Sequence, residues 1–299
     1  MIITIEGPTA AGKSAIALQL AKALNTDIVN CDSRQIYKYM DIGTAKPSVA
    51  ERQAVSHHLI DIITPDQSYN AGLFARDADA IIRTLKDQGK IPIICGGTGL
   101  YVKVLLEGLF QHPPHDPALR EELHQELVEK GIAHMYQLLS EIDPDFAQNV
   151  SANDPQRILR GLEVYRATGK SISQHWAQQK RESRYQAYRI LINPPRQSLY
   201  EKINLRLGSM LKSGLIDEIE GLLQQCYKWT DPGLNSLGYK EFKAYFEGEV
   251  SLAEAGEKAA QHHRNYAKRQ LTWYRKQRFD LATEPQSFNL SDVIRTIQA

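Results

Sequence analysis

Cysteine is scarce: Cys31, Cys95 and Cys226 are the three in 299 residues, and none has C-x-x-C spacing. That excludes a disulfide framework and a thiolate zinc site as working assumptions, and it points to a reducing, cytoplasmic setting. The nine histidines form no H-E-x-x-H. His57-His58 and His262-His263 are adjacent pairs that point different ways from a helix or a strand, so metal binding by them is not expected. No apolar run approaches the ~18 residues of a membrane span, so no membrane partner is expected. A strand is expected from Ile2, which leaves no room for a signal peptide. Repeats and low-complexity tracts are missing too, which argues against solenoids and disordered arrays. An excess of charge of either sign is nearly absent overall: the net charge is +1, with 42% hydrophobic residues. The chain therefore reads as globular, either one large domain or a core with a second lobe. With no spare apolar helical face, a monomer is expected.

What is present is concentrated at the front. Ile2 to Ile5 are apolar and β-branched apart from Thr4, which predicts a short buried strand. Gly7, four residues, Gly12, Lys13 and Ser14 then match G-x-x-x-x-G-K-[ST]. Ile16, Leu20 and Leu24 give the following segment an apolar helical face. Strand, loop and helix are the context this motif requires. The glycines let backbone N–H groups converge, and the helix N-terminus adds its positive dipole end, so the loop binds an anion. Lys13 adds a mobile charge, and Ser14 offers a hydroxyl to Mg²⁺ or to a phosphate oxygen. Such a loop calls for at least two linked phosphates without naming their carrier.

The chain continues as strand and helix in alternation. Asp27 to Asn30 is expected as a strand, His57 to Ile63 as a strand-like segment, Ala71 to Gln88 as a helix and Ile91 to Cys95 as a central strand, with Pro92 obliged to sit at its start. In an open α/β sheet the ligand crevice lies at the carboxyl ends of strands. Asp32 and Thr98 follow two of them, beside the phosphate loop. A carboxylate there binds a metal or handles a proton; the alternative is a helix cap at Asp32 or Ser33, and for Thr98 a cap for Gly99 onward. Alternation stops near Gln111. The breakers of His112-Pro-Pro-His-Asp-Pro117 mark a candidate boundary, and Ala118 to about Tyr185 is helical. A strand returns at Tyr188 to Asn193. Helices are expected at 196–212, 215–225 and 254–277, then a last strand at 279–282. The fold class is therefore α/β: a parallel-sheet core resembling the P-loop nucleotide hydrolases, over 1–111 and 187–299, with an inserted all-helical lobe over 112–186.

Local charge departs from the neutral average. Residues 121–145 carry seven acids and one base, 156–189 eight bases and two acids, and 251–279 seven bases and two acids. Two basic segments in a neutral chain fit either a polyanion held at particular faces or ordinary solvated helices.

At this point the chain resembles the tRNA dimethylallyltransferases. The resemblance rests on GPTAAGKS at 7–14, DSRQIY at 32–37, MDIGTAKP at 40–47, GGTGLY at 96–101, DPALR at 116–120, DPQRILRGLEVY at 154–165, GYKE at 238–241 and AKRQLTW at 267–273. It implies transfer of a dimethylallyl group from dimethylallyl diphosphate to the exocyclic amine of the adenosine just 3′ of the anticodon, with Mg²⁺. The loop of Gly7, Thr9, Ala10, Ala11, Gly12, Lys13 and Ser14 would then hold a diphosphate leaving group. Asp32 would be the general base, and Thr98 and Arg206 would line the reaction channel. The resemblance further implies tRNA contacts at Asp32, Ser33, Arg34, Gln35, Thr98 and Arg120. It adds Gln156, Arg157, Ile158, Leu159 and Arg160, and then Asn235, Ser236, Leu237, Gly238, Tyr239 and Lys240. Ala11 stands where Ser is usual, Ser14 where Thr is commoner, and Tyr39 where Gly is frequent. Three other functions compatible with the phosphate loop are a small-molecule kinase, a prenyltransferase acting on free adenine nucleotides, and a non-catalytic RNA-binding protein.

Overall fold

The computed structural model describes residues 1–108, 116–178 and 183–298. Six strands, β1 (Ile2–Glu6), β2 (Ile28–Asn30), β3 (His57–His58), β4 (Ile93–Gly96), β5 (Ala187–Ile192) and β6 (Leu281–Thr283), form one sheet of order β3-β2-β4-β1-β5-β6. Every pairing is parallel. The helices are α1 (Lys13–Ala23), α2 (Val49–Ala54), α3 (Ala71–Asp87), α4 (Gly99–Glu107), α5 (Pro117–Ile142), α6 (Pro144–Ala147), α7 (Pro155–Thr168), α8 (Ile172–Gln178), α9 (Arg196–Lys212), α10 (Leu215–Gln224), α11 (Lys243–Phe246), α12 (Leu252–Tyr274) and α13 (Leu290–Gln298). The chain divides into two compact units, Met1–Leu106 with Ser183–Ala299, and Glu107–Glu182. Residues 112–115 of the expected breaker cluster at 112–117 lie outside the described residues, as do Lys180 and Arg181 of the basic segment 156–189.

The sheet forms where the apolar runs are, because parallel strands are covered on both faces. Side chains alternate. Ile3 and Ile5 of β1 pack with Ala17 and Leu20 of α1, Ile93, Ile190 and Ile203. Ile2 turns the other way and packs with Val29, Phe74, Ile82, Ile94 and Leu105. β4 starts at Ile93, one residue past Pro92, whose carbonyl accepts from Ile3 N at 2.9 Å. Proline thus contributes its acceptor to the ladder edge and is spared the missing donor.

Two expectations are corrected. The strand at 57–63 is only His57–His58, because Leu59 and Asp61 adopt left-handed backbone, φ 60° and 56°. Asp61 turns to accept ion pairs from Lys46 and Arg52, which pulls the chain out of its extended path. Likewise, Arg189 of the basic segment 156–189 does not face solvent. It donates from Nε and Nη2 to Glu6 at 2.9 and 3.0 Å, and its guanidinium lies 4.7 Å from the Phe279 ring centre. Glu6 is fully buried, and burial pushes its carboxyl above the usual range even with Arg189 against it.

In the helical unit, Asp116, Asp143 and Asp154 each cap a helix that begins with proline. The missing N–H of proline costs nothing at that position. α5 breaks at Gly131, where φ is 78°. Leu123, Met135, Leu139, Ile158, Leu159 and Leu162 form the core of this unit.

Candidate active site

Three strand ends converge on one cavity of about 770 Å³, in the size range of small-ligand sites. β1 sits at the centre of the sheet between β4 and β5, and the loops after β1, β2 and β4 carry the polar lining. That is the expected place for a ligand in a doubly wound sheet.

After β1, Gly7 has φ 150°, and a Cβ there would lie 2.3 Å from the Ile192 carbonyl oxygen. Ala10 and Gly12 are left-handed, φ 60° and 89°, and Gly12 leads into α1. Alternating backbone hand of this kind turns successive N–H groups to one side. The first amides of any helix lack intrahelical partners, so those of Lys13 and Ser14 join them. The Lys13 ammonium donates to the Pro8 carbonyl at 2.7 Å, arching over the loop. Burial lowers its pKa, and the nearby Cys95 and Asp32 oppose that shift. Ser14 is exposed at the head of α1.

After β2, Asp32 accepts from Arg34 N at 2.8 Å through Oδ1. This is a side-chain turn, not a helix cap, since α2 does not begin until Val49. Ser33 N donates to Thr98 Oγ1 at 3.1 Å, so the hydroxyl of Thr98 anchors the Asp32 loop. Gly96 allows this approach: a Cβ there would lie 2.0 Å from the Cys31 carbonyl oxygen. Gln35 donates from Nε2 to the Thr44 and Ala45 carbonyls at 3.1 and 3.0 Å. Arg206, on α9, reaches the same Thr44 carbonyl at 3.4 Å. Its pKa is lowered by burial and supported by Asp32.

Charge on the lining is lopsided. Lys13, Arg34, Lys202, Arg206, Lys240 and Arg269 face one carboxylate, Asp32. So many cations around one acid make the cavity favourable to an anion. Cys95 also lines the cavity, with burial pushing its thiol up to about 11, so it is a neutral, inert group.

The remaining expected residues divide by exposure. Asn235 and Lys240 are exposed and line the cavity with Leu237. Ser236, Gly238 and Tyr239 are buried. In the helical unit Arg120, Gln156 and Arg157 are exposed, and Arg160 pairs with Glu163 at 2.8 Å. Ile158 and Leu159 turn into the core of that unit, at 0% and 7% exposure. Lys202, His263, Tyr266, Arg269 and Gln270 line the cavity without having been singled out individually from the sequence. The run AKRQLTW was the available signal for Arg269 and Gln270. Trp273 packs against Gly99, where a Cβ would lie 2.2 Å from its Nε1.

The chain as a whole is similar to proteins of known family. A family profile described as IPP transferase matches residues 35–277. The chain is 44% identical over 277 residues to the tRNA dimethylallyltransferase of Syntrophobacter fumaroxidans, covering 92% of this chain and 80% of that one. It is 46% identical over 279 residues to that of Carboxydothermus hydrogenoformans, covering 92% and 89%. Among solved structures it is similar to the tRNA delta(2)-isopentenylpyrophosphate transferase of Staphylococcus epidermidis, with TM-score 0.71 and 34% identity over 99% of this chain and 97% of that one. A eukaryotic dimethylallyltransferase captured acting on tRNA superposes with TM-score 0.85 and 27% identity, covering 99% and 78%. A phosphate loop, an acid at the next strand end and a cation-lined cavity thus sit in a chain that belongs to the IPP transferase family of tRNA prenyltransferases.

Proposed function

We propose that this enzyme transfers the dimethylallyl group of dimethylallyl diphosphate to the exocyclic amine of the adenosine immediately 3′ of the tRNA anticodon. The observation that carries the reading is the meeting, in one cation-lined cavity, of a phosphate loop and Asp32, the one carboxylate on its lining among the described residues.

The diphosphate of the donor lies against the amides of Ala10 and of Gly12 to Ser14, with Lys13 and Arg206 meeting its charge. These donors are fixed before the reaction begins, so charge building up on the leaving group meets dipoles already aligned. An adenine amine is buried in a stacked anticodon loop and must be extruded, at a cost of a few kcal/mol. Held in the cavity, the amine nitrogen attacks the allylic carbon. The carbon–oxygen bond breaks, and its electron pair leaves with diphosphate. Asp32 accepts the proton released from the nitrogen, a role worth ~10²–10⁴-fold. Thr98 holds the Asp32 loop through Ser33 N. Exposed Arg120, Gln156 and Arg157 supply backbone contacts for the anticodon stem.

A divalent ion fits this donor set. Among the described residues no group of three His, Cys, Asp or Glu side chains could hold a metal. Among the described residues the cavity lining offers several hydroxyl and amide oxygens, the Ser14 hydroxyl at the phosphate loop among them, but a single carboxylate, Asp32. So few charged oxygens suit Mg²⁺, which keeps its waters and takes substrate phosphates, with Ser14 as its protein contact. When bound it would neutralise charge on the diphosphate.

No helix among the described residues is long and apolar enough to cross a membrane, and we read the enzyme as a cytoplasmic monomer. The test is incubation of the protein with dimethylallyl diphosphate and either unmodified tRNA or AMP, and in parallel with ATP. A gain of one C5 prenyl unit on the tRNA is expected. Gain on AMP alone, or phosphoryl transfer from ATP, would overturn the assignment.

A further inference from the structure

Gln270, on α12, is only 6% exposed and uses both ends of its amide. Its Oε1 accepts from Thr9 N at 2.9 Å, and its Nε2 donates to the Gly97 carbonyl at 2.8 Å. Thr9 belongs to the phosphate loop after β1, and Gly97 to the turn after β4. The partners also fix the orientation of the amide, since one offers only a donor and the other only an acceptor. The fit is close: a Cβ on Gly97 would lie 2.8 Å from Gln270 Nε2 and 3.8 Å from Lys13 Nζ. Tyr274, one turn further along α12, donates to the same Gly97 carbonyl at 3.3 Å. The linkage continues from Gly97 to Thr98, whose hydroxyl receives Ser33 N beside Asp32.

We propose that Gln270 is a positioning residue that clasps the phosphate loop to the β4 turn and so sets the distance between the diphosphate cradle and Asp32. With Thr9 N committed to Gln270 and Ala11 N to the Pro8 carbonyl at 3.3 Å, the loop amides left for the diphosphate are those of Ala10 and of Gly12 to Ser14. The clasp also holds the β4 turn that carries Thr98. The proposal rests on the prenyl-transfer reading for its kinetic consequences, but its effect on diphosphate binding does not depend on which acceptor is prenylated.

Three variants test it: Gln270→Met, of similar volume and without hydrogen bonds; Gln270→Ala; and Gln270→Glu. In the last, a protonated carboxyl still accepts from Thr9 N and donates to the Gly97 carbonyl, whereas the ionised form loses the donor and adds a charge beside Lys13. The titratable and charged groups around it include Lys13 and Tyr274, with Asp32, Cys95 and Arg206 acting on Lys13 and Glu6 on Tyr274. Inorganic diphosphate binding is followed by calorimetry between pH 5 and 8, alongside KM for the prenyl donor, kcat, KM for tRNA and the melting temperature of each variant. Misplacement of a reacting group by about 1 Å costs ~10²-fold. Gln270→Met and Gln270→Ala should therefore lose 10-fold or more in diphosphate affinity and in kcat, with KM for tRNA nearly unchanged. Gln270→Glu should bind weakly at pH 8 and recover toward wild type at pH 5, relative to the wild-type profile. Folded Gln270→Met with wild-type diphosphate affinity and kcat, or a Gln270→Glu profile parallel to wild type, would overturn the proposal. Wild-type protein that binds diphosphate yet prenylates no tRNA would instead strike at the functional reading and leave the clasp to be judged on binding alone.

Discussion

Single residues set how close the parts of this site can come. Gly96 has no room for a side chain, because the obstacle is the Cys31 backbone and not a flexible tip. Gly96→Ala should displace the strand end that carries Asp32 and lower transfer by about 10²-fold, while tRNA retained on filters changes little. Equal transfer rates in the two proteins would contradict that. Glu6 makes a different case. Its carboxylate is buried beneath the phosphate loop and matched by Arg189 on the neighbouring strand. Removing one partner of a buried pair typically costs about 3–5 kcal/mol, because the other charge is stranded. Arg189→Met should lose that much in urea unfolding, and Glu6→Gln in the same protein should return part of it. Tyr39, where the resembling family often has Gly, takes a left-handed φ of 66°. The departure from the family pattern thus falls where glycine would be unstrained.

At the level of elements, the loop 41–47 is held by a carboxylate that no local pattern announces. Glu218 of α10 accepts from Asp41 N and Ile42 N at 2.7 Å, from Gly43 N at 3.0 Å and from the Tyr239 hydroxyl at 2.6 Å. Gly43 is needed because Tyr239 lies across it. This latch orients Thr44, whose carbonyl receives Gln35 and Arg206. Glu218→Gln keeps the shape but loses the charge, and its NH₂ would face donors. It should cost about 2 kcal/mol, read as a lower urea midpoint, and should weaken tRNA use. A midpoint equal to wild type would refute the latch. What was legible beforehand follows from range. The phosphate loop, β1, α1, α3 and α9 are written in contiguous residues, so periodicity and spacing found them. Glu218 and Gln270 work through partners about 175 and 261 positions away, and a one-dimensional pattern carries no sign of that. β3 was overread because Leu59 to Ile63 looks extended, while Lys46 and Arg52 bend it. Within the runs expected to contact tRNA, Ile158 and Leu159 serve the lobe's own core, and a run of letters does not say which of its residues turn inward.

Across the whole molecule, the two compact units carry their electrostatics differently. In the helical unit Arg166 and Lys130 hold the Glu126 carboxyl down to about 2. A carboxyl depressed on folding adds stability above its unfolded value, near ~4.3, and that contribution fades as pH falls from there toward 2. Wild type should therefore lose more stability between pH 6 and pH 3 than Glu126→Gln does, by urea midpoint at each pH. Equal losses would mean that the pair does not matter to folding. In the sheet unit many cations line one cavity around a single acid among the described residues, the arrangement on which the proposed chemistry rests. The most direct test of that arrangement is single-turnover prenyl transfer to unmodified tRNA by Asp32→Ala, with tRNA binding and diphosphate release measured in the same samples. The expected result is a loss of ~10²–10⁴-fold in turnover with much of the tRNA binding retained. Transfer at the wild-type rate by Asp32→Ala would show that the proton leaves by another route and that the carboxylate beside the phosphate loop is not the base.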